Sequence, residues 1–262
     1  MSNGLIFYFG AAGAGEAYCE HSGELPDYFI DNDKNKWGGS LLGKKILEPD
    51  FLKKANVKKV VITSGYLKSI FPQLLQMGVP ESKIVIPRKS WLGKHPFKTL
   101  KVRVESARIL SDFMNYNENF YITAVGGTAL GFARDNDFIL WDFDIDLFAS
   151  VEAKKGIYDY LLKNDCKPYY EVESIKAEFT LNDGSKIPLG IDFFDLRKDF
   201  YDDKYEDHSW NWPIRMFSEP SAKEIHSCKV FLPNPVDKYL KGIYGSTWKT
   251  PKPEFTYFDY GK

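Results

Sequence analysis

The sequence predicts an α/β protein built in two parts. These are a Rossmann-like domain with a parallel sheet over residues 1–90 and an α+β domain with a mixed sheet over residues 97–262. The first part alternates short apolar runs with segments of helical periodicity, which is the pattern of strand–helix–strand units. Pro87–Pro96 (PRKSWLGKHP) has proline, glycine and basic residues but no periodicity, as expected of a linker. In the second part, aspartates alternate with apolar residues from Asp142 to Leu147, which predicts a strand with one acidic face.

Composition and charge exclude several classes of partner and cellular location for this chain. The formal net charge of the 262-residue chain is -1 and no basic stripe runs along it, so we expect no nucleic acid partner. The three cysteines, Cys19, Cys166 and Cys228, lie far apart, which suits neither a disulfide framework nor a zinc site and favours a reducing compartment. The N-terminus has no basic region, and no apolar run reaches the ~20 residues that span a bilayer. We therefore expect a cytoplasmic protein without a signal peptide or a transmembrane segment.

The first part begins with an apolar run followed by glycines and a helix. Further apolar runs continue the alternation. The predicted elements of this part are strands at Leu5–Phe9, Tyr28–Ile30, Lys59–Thr63 and Val79–Ile86, a helix from Glu16, and a helix that follows Ser64-Gly65-Tyr66 and runs through Leu75. Alternation of this kind predicts a parallel sheet with helices on its faces.

A candidate ligand site in the first part comprises Gly10, Gly13, Gly15 and Asp31. The glycines separate the first strand from the first helix, and Asp31 ends the second strand, where an acid would meet a ribose. Their spacing is G-x-x-G-x-G and not the dinucleotide-binding G-x-G-x-x-G. A structural domain without a ligand therefore explains the pattern as well as a binding site does.

The second part predicts helices and strands in a less regular order. The predicted elements are helices at Phe97–Met114, Ala129–Arg134 and Val151–Asn164, strands at Tyr121–Val125, Asp142–Phe148, Lys176–Leu181 and Lys186–Leu196, and a turn at Gly126-Gly127-Thr128. The segment Trp210–Pro213 is expected either to wall an acceptor pocket or to pack in the core.

The acidic strand is the main candidate for chemistry. Asp142, Asp144 and Asp146 share one face of the predicted strand, and three carboxylates in a row repel one another unless a cation is present. Oxygen ligands suit Mg²⁺ or Mn²⁺, so we expect a divalent metal. Asp192 lies in the apolar run IDFF, and sheet geometry would bring it beside Asp144 and Asp146 as a third metal ligand. The alternative is an edge strand with a solvated acidic face.

Glycines just upstream of these aspartates predict a phosphate site. The Gly126-Gly127-Thr128 turn would let backbone N–H groups approach the phosphates of a nucleotide donor. Either two metals or one metal and Arg134 would clamp the diphosphate. Either a carboxylate such as Asp142 would take the proton from an acceptor hydroxyl, or the metal would acidify that hydroxyl. Together these residues indicate a phosphoryl-transfer site of the nucleotidyltransferase type.

The run GGTALGFARDNDFILWDFDIDLF resembles the signature of the LicD/fukutin-related family, roughly GGTLLGxxRxxxFIPWDDDIDI. The resemblance continues in IDFFDL (Ile191–Leu196) and in VFLPNPVDKYLKGIYGSTWKTP (Val230–Pro251), and it spans about Phe97 to Pro253. Two positions depart from the pattern, because Phe143 replaces an aspartate and Leu140 replaces a proline. The first part resembles small Rossmann-like domains attached to sugar-modifying enzymes.

The resemblance implies a nucleotidyltransferase-like fold and a metal site at Asp144, Asp146 and Asp192. It also implies transfer of a phospho-linked, phosphocholine-like group from a CDP-type nucleotide-diphosphate donor to a hydroxyl of a cell-surface glycan or sugar precursor. One alternative is a nucleotidylyltransferase that makes a CDP- or UDP-compound and releases pyrophosphate. Another is a nucleotide-binding subunit without catalysis.

Overall fold

The computed structural model describes residues 4–116, 120–205, 208–256 and 259, and for residues 203–205 and 208–210 it describes the backbone alone. The chain divides into two compact units. Unit one comprises the chain up to Lys94 together with a C-terminal segment from Lys252. Unit two runs from His95 to Pro251. Among the described residues, no helix is both long enough and apolar enough to cross a membrane.

Unit one is built on a parallel sheet. Its described elements are β1 (Leu5–Phe9), α1 (Gly13–Ser22), β2 (Tyr28–Ile30), β3 (Ser40–Leu41), β4 (Lys44–Leu47), β5 (Val57–Ile62), α2 (Leu67–Gln76) and β6 (Ile84–Val85). The strand order is β3-β4-β2-β1-β5-β6, and every pair is parallel except β3 with β4. The predicted parallel sheet is therefore confirmed.

The central position of β1 in the sheet explains why its sequence is apolar throughout. Phe7 and Phe9 pack with Ile62 and Leu74 on one face of the sheet. Tyr8 packs on the other face with a second apolar cluster. A parallel sheet covered on both faces needs apolar side chains at every position, so the run shows no alternation.

Two predicted features of unit one differ from the structure. The strand predicted at Val79–Ile86 is limited to Ile84–Val85, because Val79 closes α2 by donating to Leu74 O (3.0 Å) and a 3-10 turn at Glu81–Lys83 follows. The C-terminal segment, predicted to end the second domain, belongs to unit one. Arg88 forms an ion pair with Glu254 (2.9 Å) in this unit, and Lys89 N donates to Phe255 O (2.7 Å).

Unit two contains a mixed sheet, two hairpins and five helices among its described residues. The elements are α3 (Leu100–Asn115), β7 (Thr123–Ala124), α4 (Gly126–Arg134), β8 (Ile145–Ser150), α5 (Lys154–Lys163), β9 (Tyr169–Glu171), β10 (Ser174–Thr180), β11 (Lys186–Phe194), β12 (Phe200–Tyr205), β13 (His208–Pro213), α6 (Arg215–Ser218), β14 (Ser221–Ile225), β15 (Cys228–Leu232) and α7 (Val236–Tyr244). The sheet order is β7-β8-β11-β10-β9, with β8 and β11 parallel and the other pairs antiparallel. The hairpins are β12–β13 and β14–β15.

The region that carries the candidate site differs locally from the prediction. The glycines form no separate turn, because α4 already begins at Gly126 and Ala129 N donates to Val125 O (3.0 Å). The acidic strand begins at Ile145, after Asp142 has donated its N–H to Ile139 O (3.0 Å) in a turn. Asp142 and Asp144 therefore precede β8, and of the three aspartates Asp146 is the one within the strand. The shared acidic strand face was a wrong prediction.

Candidate functional site

The candidate site lies where the chain passes from β7 into α4, beside the start of β8. Val125 N donates to Asp146 O (3.0 Å), and Asp146 N donates to the hydroxyl of Thr128 (3.0 Å). The first turn of α4 and the start of β8 are therefore fixed to each other by hydrogen bonds. Thr128 belongs to the predicted phosphate-binding turn, and its buried side chain holds the backbone of Asp146.

Two carboxylates lie directly against the glycines that begin α4. A Cβ at Gly126 would be 2.7 Å from Asp146 Oδ2, and a Cβ at Gly127 would be 2.1 Å from Asp142 Oδ2. Gly126 also has a positive φ of 54°, which favours glycine on conformational grounds. The two glycines thus give two carboxylates access to the N-terminal end of a helix, where backbone N–H groups and the helix dipole favour anions.

Tyr239 from α7 completes this end of the helix. Gly126 N donates to the Tyr239 hydroxyl (3.0 Å), and the tyrosine ring is buried against Trp212 and Phe217. Sequence reasoning did not assign Tyr239 a role, although it lies in the third motif of the family resemblance. The buried Trp212 ring packs here and would lie 2.2 Å from a Cβ at Gly242, so for this residue packing is the correct alternative.

Asp144 lines a groove together with residues of β9, β10 and β11. The groove has a volume of about 500 Å³. Its lining residues are Asp144, Lys167, Tyr169, Glu171, Lys176, Ala177, Glu178, Pro188, Leu189 and Gly190. Of the three aspartates predicted to act together, Asp142 and Asp146 lie against α4, and Asp144 lines this groove.

The sheet register places Asp146 next to the groove. Gly190 on β11 pairs with Asp146 on β8 on one side and with Lys176 on β10 on the other. A Cβ at Gly190 would be 3.0 Å from Lys176 Nζ and 3.8 Å from Asp146 Oδ1. Because Gly190 has no side chain, the ammonium group of Lys176 and the carboxylate of Asp146 both lie over it. Sequence reasoning did not single out Lys176 or Gly190, because their significance comes from pairing with β8.

Asp192 lies two residues beyond Gly190 on the same strand. Asp192 is exposed as a whole residue, but the protein atoms around its carboxylate partly desolvate it, and this desolvation is the largest cause of its raised pKa. Lys176 lowers the pKa of Asp192 in part, while Asp146 and Glu171 raise it further. Asp192 and Asp146, on the neighbouring strands β11 and β8, therefore interact electrostatically.

A metal ion at this site would have few protein ligands. Within the described residues, no group of three or more His, Cys, Asp or Glu side chains gathers closely enough to hold a metal ion. Mg²⁺ commonly uses one or two carboxylates and completes its shell with water and substrate phosphates. Asp142 and Asp146 lie against the two glycines that begin α4, and as a pair of carboxylates they fit that mode of binding.

Arg134 lies at the opposite end of α4 from the glycines. Its guanidinium donates to both carboxylate oxygens of the neighbouring Asp135 (2.8 and 2.7 Å), and the arginine side chain is 8% exposed. Arg134 comes eight positions after Gly126, which is about 12 Å along the helix axis. The structure thus brings Asp142 and Asp146 to the glycines and engages Arg134 elsewhere.

Among the candidate residues of unit one, Asp31 holds the neighbouring loop segments together through hydrogen bonds to its carboxylate. Asp31 accepts hydrogen bonds from Ala11 N, Asp33 N and Lys36 Nζ, each 2.9 Å long. A Cβ at Gly15 would be 2.6 Å from Gly10 O, so this glycine allows α1 to pack on the loop. No described atom lies within 4 Å of the position a Cβ would take at Gly13.

Fold and site define an α/β protein in which two carboxylates flank a glycine-rich helix start. A family model described as C2185-like, N-terminal, matches residues 13–85. No curated protein matches this chain. Among solved structures, the chain is similar to the lincomycin-bound lincosamide antibiotic adenylyltransferase LnuA, with 11% identity, 47% of this chain and 74% of that chain covered, and a TM-score of 0.32.

Proposed function

We propose that unit two is a metal-dependent, LicD-like phosphotransferase with a nucleotidyltransferase-like fold, and that unit one is a Rossmann-like domain. It would transfer a phosphocholine-like group from a CDP-type donor to a hydroxyl of a glycan or its precursor, in the cytoplasm. The observation that carries the proposal is the placement of Asp146 and Asp142 against Gly126 and Gly127. The three sequence motifs of the LicD/fukutin-related family supply the reaction class.

The start of α4 suits a diphosphate that is accompanied by a cation. The helix end favours the phosphates, and Asp142 and Asp146 would hold Mg²⁺ or Mn²⁺ beside them. When bound, the ion would neutralise phosphate charge and stabilise the negative charge that develops on the bridging oxygen. Asp192 interacts electrostatically with Asp146 and would add a carboxylate to the same face.

In the reaction, the acceptor oxygen attacks the phosphorus atom that is distal to the nucleoside. A new P–O bond forms, the bond from that phosphorus to the bridging oxygen breaks, and the nucleoside monophosphate leaves with the electron pair. A carboxylate takes the proton of the acceptor hydroxyl and returns it to solvent. Asp142 is buried against α4, whereas Asp144 lines the groove, so we assign the base to Asp144 instead of Asp142.

Incubation with CDP-choline, CDP-glycerol or CDP-ribitol, with and without Mn²⁺, tests this function. We expect Mn²⁺-dependent release of CMP from at least one donor, and no release by Asp146→Asn. Pyrophosphate release from CTP or UTP, without CMP release from any donor, would indicate the nucleotidylyltransferase alternative. If neither product forms and Mn²⁺ with the donors does not raise the melting temperature, the transferase proposal is wrong and a non-catalytic role remains.

A further inference from the structure

We propose that the groove beside Asp144 binds a neutral, hydroxyl-rich ligand, and that this ligand is the acceptor. The acceptor role depends on the proposed function, whereas the binding of such a ligand can be tested without it. The groove volume of about 500 Å³ falls within the range of small-molecule sites.

The shape of the groove suits an extended molecule. Its lining includes Asp144, just before β8, Gly190 on β11, Lys176 on β10 and Tyr169 on the edge strand β9, and these strands are consecutive in the sheet. Three strand spacings separate β8 from β9, which corresponds to about 14 Å. A ligand of two sugar rings spans a similar distance and would place one end beside Asp144.

The charges of the groove disfavour an anionic ligand. Its lining has three carboxylates, those of Asp144, Glu171 and Glu178, and two ammonium groups, those of Lys167 and Lys176. Asp146 and Asp192 add negative charge close to this lining. Lys186 pairs with Glu178 (2.9 Å), and the carboxylates that remain disfavour phosphate groups in the groove. At the start of α4, the cation proposed at Asp142 and Asp146 would offset the carboxylate charge and allow phosphates to bind. The anionic donor would thus bind at the start of α4, and the neutral acceptor would bind in the groove.

The side chains of the groove provide contacts for hydroxyl groups and for sugar rings. Lys176 Nζ lies 3.9 Å from Glu171 Oε2, so an ammonium donor and a carboxylate acceptor are adjacent and partly exposed. Such a pair can hydrogen-bond to neighbouring hydroxyls of one ring. Tyr169 is 57% exposed, and its ring offers an apolar face at the outer end of the groove.

The chain contains a matched control on the same strand. Tyr170 is 53% exposed, like Tyr169, but it stacks on Tyr158 at a centroid distance of 4.8 Å and is not part of the groove lining. Side chains alternate across a strand, so Tyr169 and Glu171 share one face of β9 and Tyr170 lies on the other. Loss of a tyrosine at either position changes the same edge strand.

Saturation-transfer NMR with maltose, lactose and N,N′-diacetylchitobiose tests the binding. We expect transfer to at least one of these neutral disaccharides, weaker transfer to glucose 6-phosphate, and affinity lowered about fivefold by Tyr169→Ala through loss of ring contacts. Glu171→Gln should also weaken binding, and Tyr170→Ala should not. Melting curves of all three variants establish that they are folded.

Absence of transfer to every disaccharide, equal transfer to glucose 6-phosphate, or equal effects of Tyr169→Ala and Tyr170→Ala would overturn the proposal. Stronger transfer to glucosamine than to any neutral sugar would overturn the neutral class of ligand. Failure of the transferase reaction is seen separately, as the absence of CMP release from all three CDP-linked donors. Disaccharide binding without CMP release would retain the groove and remove the acceptor role.

Discussion

Each unit places glycines between an apolar strand and a helix, with aspartate nearby, yet the aspartates have different surroundings. In unit one, Asp31 accepts hydrogen bonds from Ala11 N and from Lys36 Nζ, both 2.9 Å long. In unit two, Asp146 and Asp142 lie against the glycines themselves, at 2.7 and 2.1 Å from the positions a Cβ would take. The same sequence pattern therefore closes a loop in one unit and arranges carboxylates at a helix start in the other.

The difference shows what distinguishes a structural acid from a candidate catalytic acid. The carboxylate of Asp31 is used by two backbone N–H groups and an ammonium group, and these contacts stabilise the loop. In unit two, Asp142 also accepts a hydrogen bond, from Phe143 N (3.2 Å), but its carboxylate and that of Asp146 lie at a helix start, where we propose that a donor phosphate and a cation bind. The predictions below test this distinction, beginning with the largest expected effect.

Asp146→Asn should lower metal-dependent CMP release by at least about 100-fold, because it removes a carboxylate that would hold the cation. Asp31→Asn should leave the rate unchanged, because Asp31 serves the fold of unit one. Steady-state rates with CDP-choline and Mn²⁺ measure both variants. Equal losses in the two variants would remove the distinction between the units.

Gly127→Ala should weaken donor binding by about 10-fold, since its Cβ would meet Asp142 Oδ2 at 2.1 Å and displace that carboxylate. The matched change Gly13→Ala places a Cβ where no described atom lies within 4 Å. It should leave donor binding unchanged and stabilise the protein by about 0.4–1 kcal/mol by restricting the unfolded chain. Calorimetric titration and thermal melting measure the two effects. Similar donor affinities in both variants would show that the glycines of α4 serve only helix packing.

Asp31→Asn should lower the free energy of unfolding by about 1–3 kcal/mol at neutral pH, by weakening buried hydrogen bonds. Burial alone would raise the pKa of Asp31, but the hydrogen bonds from Asp33 N, Lys36 and Ala11 N outweigh it and lower that pKa. Because the pKa of Asp31 is lowered in the folded protein, its ionised carboxylate stabilises the fold at pH values above the ordinary carboxylate pKa. This stabilisation is lost as the pH falls through the folded-state pKa. The gap between wild type and variant should therefore narrow below about pH 4. Urea melts from pH 3 to 7 measure it, and a constant gap would contradict the assigned ionisation.

Asp192→Asn should have the smallest effect, leaving stability without metal equal or slightly higher at neutral pH. Burial raises the pKa of Asp192, so ionisation disfavours the fold. The wild-type fold therefore has its full stability at pH values below the ordinary carboxylate pKa, and it loses stability as the pH rises through the raised pKa of Asp192. The advantage of the variant should thus vanish below about pH 4. Added Mn²⁺ should stabilise the variant less than wild type.

Melting curves in EDTA and in Mn²⁺ measure this change. The alternative is that Asp192 chiefly compensates Lys176, in which case the variant leaves an uncompensated ammonium group. A loss of about 3–5 kcal/mol in EDTA would support that ion pair and argue against a metal ligand. Glu171, 3.9 Å from Lys176 Nζ, remains available to the ammonium group, so we expect no such loss.

Much of the fold could be predicted because local pattern and local structure agree. The apolar run Leu5–Phe9 and the helical periodicity before Asn115 correspond to β1 and α3. The length of the acidic strand could not be predicted, because alternation at Asp142–Leu147 is compatible with a strand and with an irregular approach to one. The hydrogen bond from Asp142 N to Ile139 O selects the latter.

The sequence by itself determined the alternation of strands and helices in unit one, the glycines before α4 and the carboxylates after it. These features depend on side-chain periodicity and on conformational freedom, which are properties of short segments. Only the tertiary structure decided which carboxylate lies against which glycine, that Tyr239 caps α4, and that Lys176 and Gly190 adjoin Asp146. These contacts join residues distant in the chain, and they follow from strand order and register, which no single segment encodes.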